Sequence, residues 1–409
     1  MNYSVLTKLI LKFVIRCCLR KQTVLLVLDP LGDRHSVQLE VIRTIVESLI
    51  SKFDVTVFSS TVSEKIKADI EGLGAHIVSP AKRFSVFNTV LKVLNAHNES
   101  MLWLGSWIAE SLFRRNSYVL SRSVNLGDYN LRINMTNSTI LPCDIWWNQG
   151  YPLYHTLDLS KENYSPFLRV FYSVSRRIFK SFDWKMLLSQ KKISKLIVCC
   201  AISLADYYRS HGFQIDEVIY PIRDLSRFVP SNSCPTQDYV LTYIGKETEF
   251  RTLMRMADSG IPIISFGSKV PVGMNLKGTL NRITHLGHVS EERLIDLYGN
   301  ALFTAFSFTN EQFGFIPLES MACGTPVLTY GREGPGETVI NNETGWLVNN
   351  CHEFEKQAIE LWRSRDALKI DRSLCRKRAM QFDRKQVGEK LNNLFSRILP
   401  EVPYHENPS

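Results

Sequence analysis

The sequence predicts an α/β protein of two domains built on buried parallel strands, and three observations predict it. Its 409 residues are too many for one ordinary core and comfortable for two domains. Apolar runs of strand length, such as Thr23 to Leu28 (TVLLVL), alternate with helix-length stretches, as in sheets covered on both faces. The stretch Phe303 to Tyr330 compresses the pattern into one unit of strand, loop, short helix and strand.

Taken in order, residues 1–21 hold Lys8, Lys12, Arg16 and Arg20, each four apart, with Leu9, Ile10, Phe13, Val14 and Cys17 elsewhere on the surface. This basic amphipathic helix either lies in a membrane interface or packs on the first domain with its basic side solvated. TVLLVL is the first strand. The loop Asp29 to Arg34 follows, then a helix from about Ser36 to Lys52 and a strand from Asp54 to Ser59, a βαβ start. A dinucleotide-binding turn would need G-x-G-x-x-G here, and only Gly32 is present.

Residues 60–160 continue the first domain. Residues 164–195 set Arg169, Arg176, Arg177 and Lys180 among Phe167, Phe171, Tyr172, Ile178 and Phe179. That stretch is either a helix facing a membrane or acceptor, or an ordinary amphipathic helix. Leu196 to Arg209 reads strand into helix. Val229 to Gln237, with two prolines and no periodicity, reads as a linker.

Tyr239 to Ile244 and Ile261 to Phe266 are strands of the second domain. Ser290 caps a helix with Glu291 and Glu292 in its first turn. Ala301 to Phe308 is a buried strand. Pro317 suits a first helical turn, Gly324 a helix stop, and Val327 to Tyr330 the next strand. The predicted boundaries are therefore a helix at 1–21, a first domain at 22–228, a linker at 229–237, a second domain at 238–380 and a helix and tail at 381–409.

Composition narrows the function. Apolar residues at 44% and charged residues at 22% describe a globular chain. The net charge of +9 favours anionic partners such as phosphates or anionic lipid. No nucleic-acid-binding module is visible, so nucleic acid is not expected. Nine cysteines without a CxxC fit buried free thiols better than a disulfide framework or a zinc site. No uncharged apolar stretch reaches the roughly 20 residues that span a bilayer. Lys8, Lys12 and Arg16 interrupt what would be a signal sequence. His285 and His288 stand three apart without a third ligand nearby and read as loop histidines, so no metal site is expected.

The chemistry concentrates around Glu311 and Glu319, with seven residues between them. The loop holding Glu311 lies where a parallel strand ends and a helix begins, the ligand-binding edge of open α/β sheets. Free N–H groups near Gly314 and Phe315 suit a phosphate, and a nearby carboxylate suits sugar or ribose hydroxyls. A ligand with both is a nucleotide sugar.

Glu311-Gln-Phe-Gly-Phe-Ile-Pro-Leu-Glu319-Ser-Met-Ala-Cys-Gly-Thr-Pro-Val327 resembles the signature E-x-F-G-x-x-x-x-E-A-M-A-x-G-x-P-V of glycosyltransferase family 4, the retaining glycosyl transferases of group 1. Ser320 replaces the usual alanine. The resemblance spans roughly residues 20–395. It implies the GT-B architecture: two Rossmann-like, doubly wound domains face a cleft, and a C-terminal helix crosses back to the first. Val218-Ile-Tyr-Pro-Ile-Arg-Asp224 through Phe228 resembles the family's crossover between domains. Gly245-Lys246 and Arg251 resemble its phosphate clamp, with lysine and arginine exchanged. Ile283 to Val289, with Gly287, resembles the segment that contacts the base. Gly334, Gly336 and Glu337 resemble a Gly-Gly-x-x-E turn near the donor. Ile145 to Pro152 is similar to the aromatic-x-His-aromatic-Pro segment of lipid-linked oligosaccharide mannosyltransferases. Gly150 stands where their histidine falls and His155 lies just beyond; an aromatic core strand is the other reading.

The resemblance implies a hexosyltransferase that uses a nucleotide diphosphate sugar, possessing slight preference for GDP-mannose, and a lipid-linked or glycan acceptor. Lys246 and Arg251 would take the leaving diphosphate and Glu311 the sugar hydroxyls. Gly32, Gly245, Gly287, Phe313, Gly314 and Phe315 would line the donor, and Glu319 would hold the ribose. No D-x-D motif stands in a suitable loop, so metal-independent transfer is expected. A peripheral position on the cytosolic face of an anionic membrane is expected with it. A nucleotide-sugar epimerase or phosphorylase of the same architecture, and a degenerate sugar-binding scaffold, are the alternatives.

Overall fold

The computed structural model describes residues 22–28, 36–59, 62–79, 115–137, 139–152, 154–155, 158, 166–230, 235–245, 248–267, 283–309, 311–367 and 371–398. The basic stretch 1–21, Gly32 and Lys246 lie outside these residues.

The chain begins with β1 (Gln22–Leu28), α1 (Ser36–Ile50), β2 (Phe53–Ser59), α2 (Glu64–Gly72), β3 (His76–Val78), α3 (Arg115–Ser123), β4 (Leu131–Asn134) and β5 (Cys143–Asn148). A 28-residue helix, α4 (Pro166–Ile193), leads directly into β6 (Ser194–Cys199), α5 (Ile202–Ser210) and β7 (Glu217–Val218). The strands form one sheet in the order β3-β2-β1-β4-β5-β6-β7, every pair parallel. Period-two geometry explains why TVLLVL is apolar throughout. Val24, Leu26 and Leu28 enter the core on one face, and Leu25 and Val27 enter the core on the other.

The second sheet takes β8 (Val240–Tyr243), α6 (Phe250–Asp258), β9 (Ile263–Phe266), β10 (Ile283–His285), α7 (Glu291–Asn300), β11 (Thr304–Phe306), α8 (Phe315–Ala322), β12 (Val327–Tyr330), α9 (Glu333–Thr338) and β13 (Gly345–Val348). Its strand order is β10-β9-β8-β11-β12-β13, again with every pair parallel. β11 is shorter than the expected run from Ala301 to Phe308, and beyond its end Phe308 forms an isolated antiparallel bridge with Thr248.

Three helices close the described chain: α10 (Cys351–Arg363), α11 (Arg372–Ala379) and α12 (Arg384–Ile398). Val387, Leu391, Leu394 and Phe395 recur at helical spacing on α12. They pack with Val24, Leu26 and Ile45 in the first lobe. Phe395 meets Phe53 edge-on, ring centroids 6.4 Å apart. The C-terminal helix thus crosses back onto the first lobe. Six described cysteines are free thiols, five of them buried. Among the described residues, no helix is long and apolar enough to cross a membrane.

Asp144 on β5 ties three neighbouring strands. It accepts hydrogen bonds from Arg132 N at 2.8 Å and Nε at 3.1 Å, and from Lys195 Nζ at 2.8 Å. Burial pushes its carboxyl pKa up, but the Arg132 and Lys195 bonds outweigh that and hold it below the ordinary value. The stability it contributes is present above the ordinary carboxylate range and is lost as pH falls through the depressed folded value. Asp144→Asn should lower unfolding stability by about 1–3 kcal/mol near neutral pH. Denaturant unfolding should show the gap to wild type closing in acid.

Candidate active site

In a doubly wound sheet the ligand edge lies at the strand carboxyl ends, where the order reverses. In the second sheet that point falls between β8 and β11. Three glycines follow the carboxyl ends of β8, β9 and β10 along this edge. Gly245 donates its N–H to Thr248 Oγ1 at 2.7 Å. A Cβ on Gly245 would lie 2.6 Å from the Tyr243 ring. Gly267 donates to Gly287 O at 2.8 Å. Its φ of +112° puts it in the left-handed region, and a Cβ would meet Ile244 O at 2.4 Å. Past Gly245 the chain turns into α6. Glu249 N donates to Ser307 O at 2.9 Å, and the Glu249 carboxylate accepts from the Tyr330 hydroxyl. Arg251 stands exposed in the first turn of α6.

The loop from Glu311 to Phe315 follows β11, on the other side of the reversal point. Gly314 adopts φ +87° as the N-cap of α8, which has no side-chain cap of its own. Glu311 fills that role through Oε1, which accepts from Gly314 N at 3.0 Å and Phe313 N at 3.4 Å. Gly314, expected to offer its N–H to a phosphate, therefore already has a carboxylate on it. A short loop brings Glu311 back over a helix end whose N–H groups lack intrahelical partners. The Phe313 ring is 3% exposed and stacks on Tyr220 at 5.1 Å, so it packs in the core rather than lining an open surface.

A second loop locks the first. Glu311 N donates to Glu333 Oε2 at 2.7 Å, and Gly334 N donates to Glu311 O at 3.1 Å. A Cβ on Gly334 would fall 2.1 Å from Phe313 Cα, so only glycine permits this approach. Glu333 itself has φ +59°, a conformation that side chains rarely adopt.

Glu319 occupies different surroundings from its motif partner. It is 4% exposed, and both oxygens are engaged inside the protein. Arg223 Nη2 donates to Oε1 at 2.6 Å, and the Tyr298 hydroxyl donates to Oε2 at 3.1 Å. Burial raises its pKa above the ordinary carboxylate value, against the attraction of Arg223. The carboxylate expected to hold the ribose thus reaches Arg223 of the crossover segment and Tyr298.

The lobes meet directly beside this site. Glu337 accepts from Ile202 N at 2.9 Å, Ser203 N at 2.6 Å and the Tyr220 hydroxyl at 3.2 Å. It caps α5, whose own N-cap residue, Ala201, has no side-chain acceptor. Gly150 faces the same loop from the first lobe, with Gln312 atoms 3.9 Å from where its Cβ would stand. Trp146 and Trp147, in the segment before it, are core residues at 0% and 2% exposure. His155 packs against Tyr151 and Tyr207 at 4.7 and 4.9 Å, and burial lowers its pKa. His285 bonds Ser265 at 2.9 Å. Among the described residues no cluster of three metal-ligating side chains occurs.

Gly245 follows β8, and Glu311, Phe313 and Gly314 follow β11, on the two sides of the reversal point, while Gly287 follows β10 at the edge of the sheet. The structure turns Glu319 towards Arg223 and Tyr298. Sequence reasoning missed Arg223, Tyr298, Glu249 and Glu333. Arg223 stands within the crossover motif, between its proline and aspartate, and that position was the available signal; Glu333 had none.

Residues 274–379 match the family described as Glycosyl transferases group 1. The D-inositol 3-phosphate glycosyltransferase of Rhodococcus jostii is 27% identical over 188 residues, which are 39% of this chain and 41% of that protein. The alpha-1,3/1,6-mannosyltransferase alg-2 of Neurospora crassa is 44% identical over 62 residues, 15% of this chain and 13% of that protein. The chain thus spans about two fifths of the length of the bacterial relative and far less of the fungal one. Anabaena Alr3699/HepE, solved in complex with UDP-glucose, superposes with a TM-score of 0.61 at 14% identity, covering 92% of this chain and 99% of that one. That likeness shows the fold. The architecture is GT-B, and the segment that completes its second lobe carries the sequence of the glycosyl transferases group 1 family.

Proposed function

We propose that the protein is a retaining hexosyltransferase, drawing on a nucleotide diphosphate sugar and delivering to a lipid-linked or glycan acceptor. The observation that carries this is the placement of Gly245 after β8 and of the capped Glu311 loop after β11, on the two sides of the reversal point of the second sheet. Lys246, next in sequence to Gly245, and Arg251, in the first turn of α6, neutralise the departing diphosphate. Glu311, oriented by two N–H groups, faces the sugar hydroxyls and the charge that develops on the transferred ring. With two cations supplying the neutralisation, transfer proceeds without a metal. Glu319 has acceptor capacity beyond its bonds to Arg223 and Tyr298, so a ribose hydroxyl would add to them where the side chains over this buried carboxylate part.

The relatives' names support glycosyl transfer, and the mannosyltransferase among them supports mannose as the sugar, for which GDP-mannose is the donor proposed here. A lipid-linked acceptor and a peripheral place on a cytosolic membrane face belong to the same reading, on the resemblance of Ile145 to Pro152 and the basic stretches of the sequence. A catalytically silent sugar-binding subunit is the second reading, favoured by the internal engagement of Glu319.

Calorimetric titration with UDP-, GDP- and ADP-hexoses tests the proposal. One class should bind, and Arg251→Ala should weaken it roughly tenfold through the loss of one charge-assisted contact. Absence of binding by all three would end the transferase reading. Binding without turnover on any supplied acceptor or water would favour the silent subunit.

A further inference from the structure

Eleven large apolar side chains stand exposed among the described residues, and six of them lie on α4. They are ordered. Val170, Val174, Ile178 and Phe182 recur every four residues at 65%, 77%, 58% and 38% exposure. A spacing of four drifts about 40° per step on a 3.6-residue helix, so the row winds gently along one side for about 18 Å. Leu188, also exposed, lies about five turns beyond Val170 and returns to the row's starting angle. The opposite side of α4 is the packed one, with Tyr172, Phe179, Asp183, Met186 and Gln190 all buried.

Charge sorts on the same helix. α4 carries seven Lys and Arg and a single acid, Asp183, which is buried and bonds Tyr154 N at 2.7 Å. Arg176 pairs with Asp158, and Lys191 donates to Gly212 O at 2.5 Å, so these two serve the fold. Arg177, Lys185 and Lys192 are exposed on the side of the apolar row.

We infer that this face of α4 docks on an anionic lipid surface, with Val170, Val174, Ile178 and Leu188 entering the apolar layer beneath the headgroups and Arg177, Lys185 and Lys192 pairing with the headgroup anions. Exposed aliphatic side chains interleaved with cations, and no exposed acid on the helix, complement an anionic layer over hydrocarbon. Attraction between basic segments and anionic leaflets adds with each cation held at the surface and is screened by salt. The inference rests on the membrane part of the preceding reading and on none of its transfer chemistry.

The test is flotation of the full chain with phosphatidylcholine–phosphatidylserine vesicles and with pure phosphatidylcholine vesicles, without sugar donor. Wild type should float with the mixed vesicles, more weakly at high salt, and little with the neutral ones. Val174→Glu with Ile178→Glu, and separately Arg177→Glu with Lys185→Glu, should each reduce binding roughly tenfold or more at an unchanged unfolding midpoint. Undiminished flotation of both double variants would overturn the assignment to α4. Equal binding to neutral vesicles would overturn the role of the cations. Self-association of wild type that Val174→Glu with Ile178→Glu abolishes, without vesicle binding, would give the face to a second copy. A chain that binds a nucleotide sugar but no vesicle would lose this surface and keep its proposed transfer; the reverse result would do the opposite.

Discussion

An Arg223→Met variant should unfold about 3–5 kcal/mol more readily than wild type at neutral pH, the usual consequence of removing one partner from a buried ion pair. Arg223 and Glu319 are 5% and 4% exposed. The guanidinium reaches Glu319 Oε1 at 2.6 Å and lies over the Phe228 ring at 5.1 Å. Its backbone carbonyl accepts from Arg384 N at 2.8 Å, where the chain turns back towards the first lobe. Methionine would fill much of the stem's volume while leaving Glu319 with Tyr298 alone. Glu319 therefore carries a pH signature. Burial, the largest influence, puts its folded pKa above the ordinary 4.5, with Arg223 pulling the other way. A raised folded pKa means stability that is full below about 4.5 and lost as pH rises through the folded value. Without Arg223 the folded value climbs further, so the variant's deficit should be largest near neutrality and shrink in acid. Adding Glu319→Gln should recover much of the loss. Denaturant unfolding of the single and double variants at two pH values reads all of this. A deficit that does not change with pH would mean that the carboxylate is not the source of the loss.

The pair also shows what a linear reading reaches. β1 was legible because strands buried on both faces are apolar throughout. α8 was legible because Gly324, at φ +81°, and Pro326 punctuate its end. The C-terminal helix was foreseen from the family resemblance, and its apolar spacing shows which side it buries. Periodicity identifies such a face without naming what it meets. Glu311 and Glu319 were visible as a pair, but Arg223 lies 96 residues before Glu319, and the amides that Glu337 caps lie 134 and 135 residues before it. Those contacts follow from how two lobes close on each other. The Thr248–Phe308 bridge beyond β11 likewise joins segments 60 residues apart, counted as 308 minus 248. The left-handed backbone of Glu333 left no trace, since the usual sign of such a position is a glycine.

Glu311→Gln and Glu311→Ala should separate the helix-capping role that the Glu311 carboxylate has from the sugar-facing role proposed for it. As a helix cap, Glu311 needs only an acceptor oxygen for the Gly314 and Phe313 N–H groups, and glutamine retains one. As a partner of the transferred sugar it needs negative charge as well, because positive charge develops on that ring as its bond to the diphosphate breaks. The two substitutions should therefore differ in stability and agree in activity. Alanine should lose about 1 kcal/mol of stability with the cap, and glutamine much less. Both should lower kcat by about 10²–10³-fold, the loss that follows removal of one preorganised electrostatic contact to a transition state. Steady-state kinetics with the donor found by titration, beside thermal unfolding of both variants, provides the comparison. If glutamine turned over like wild type while alanine failed, Glu311 would be a helix cap only, and the charge facing the sugar would have to come from elsewhere. Glu333 would be the first place to look, since its Oε2 already receives the Glu311 N–H at 2.7 Å.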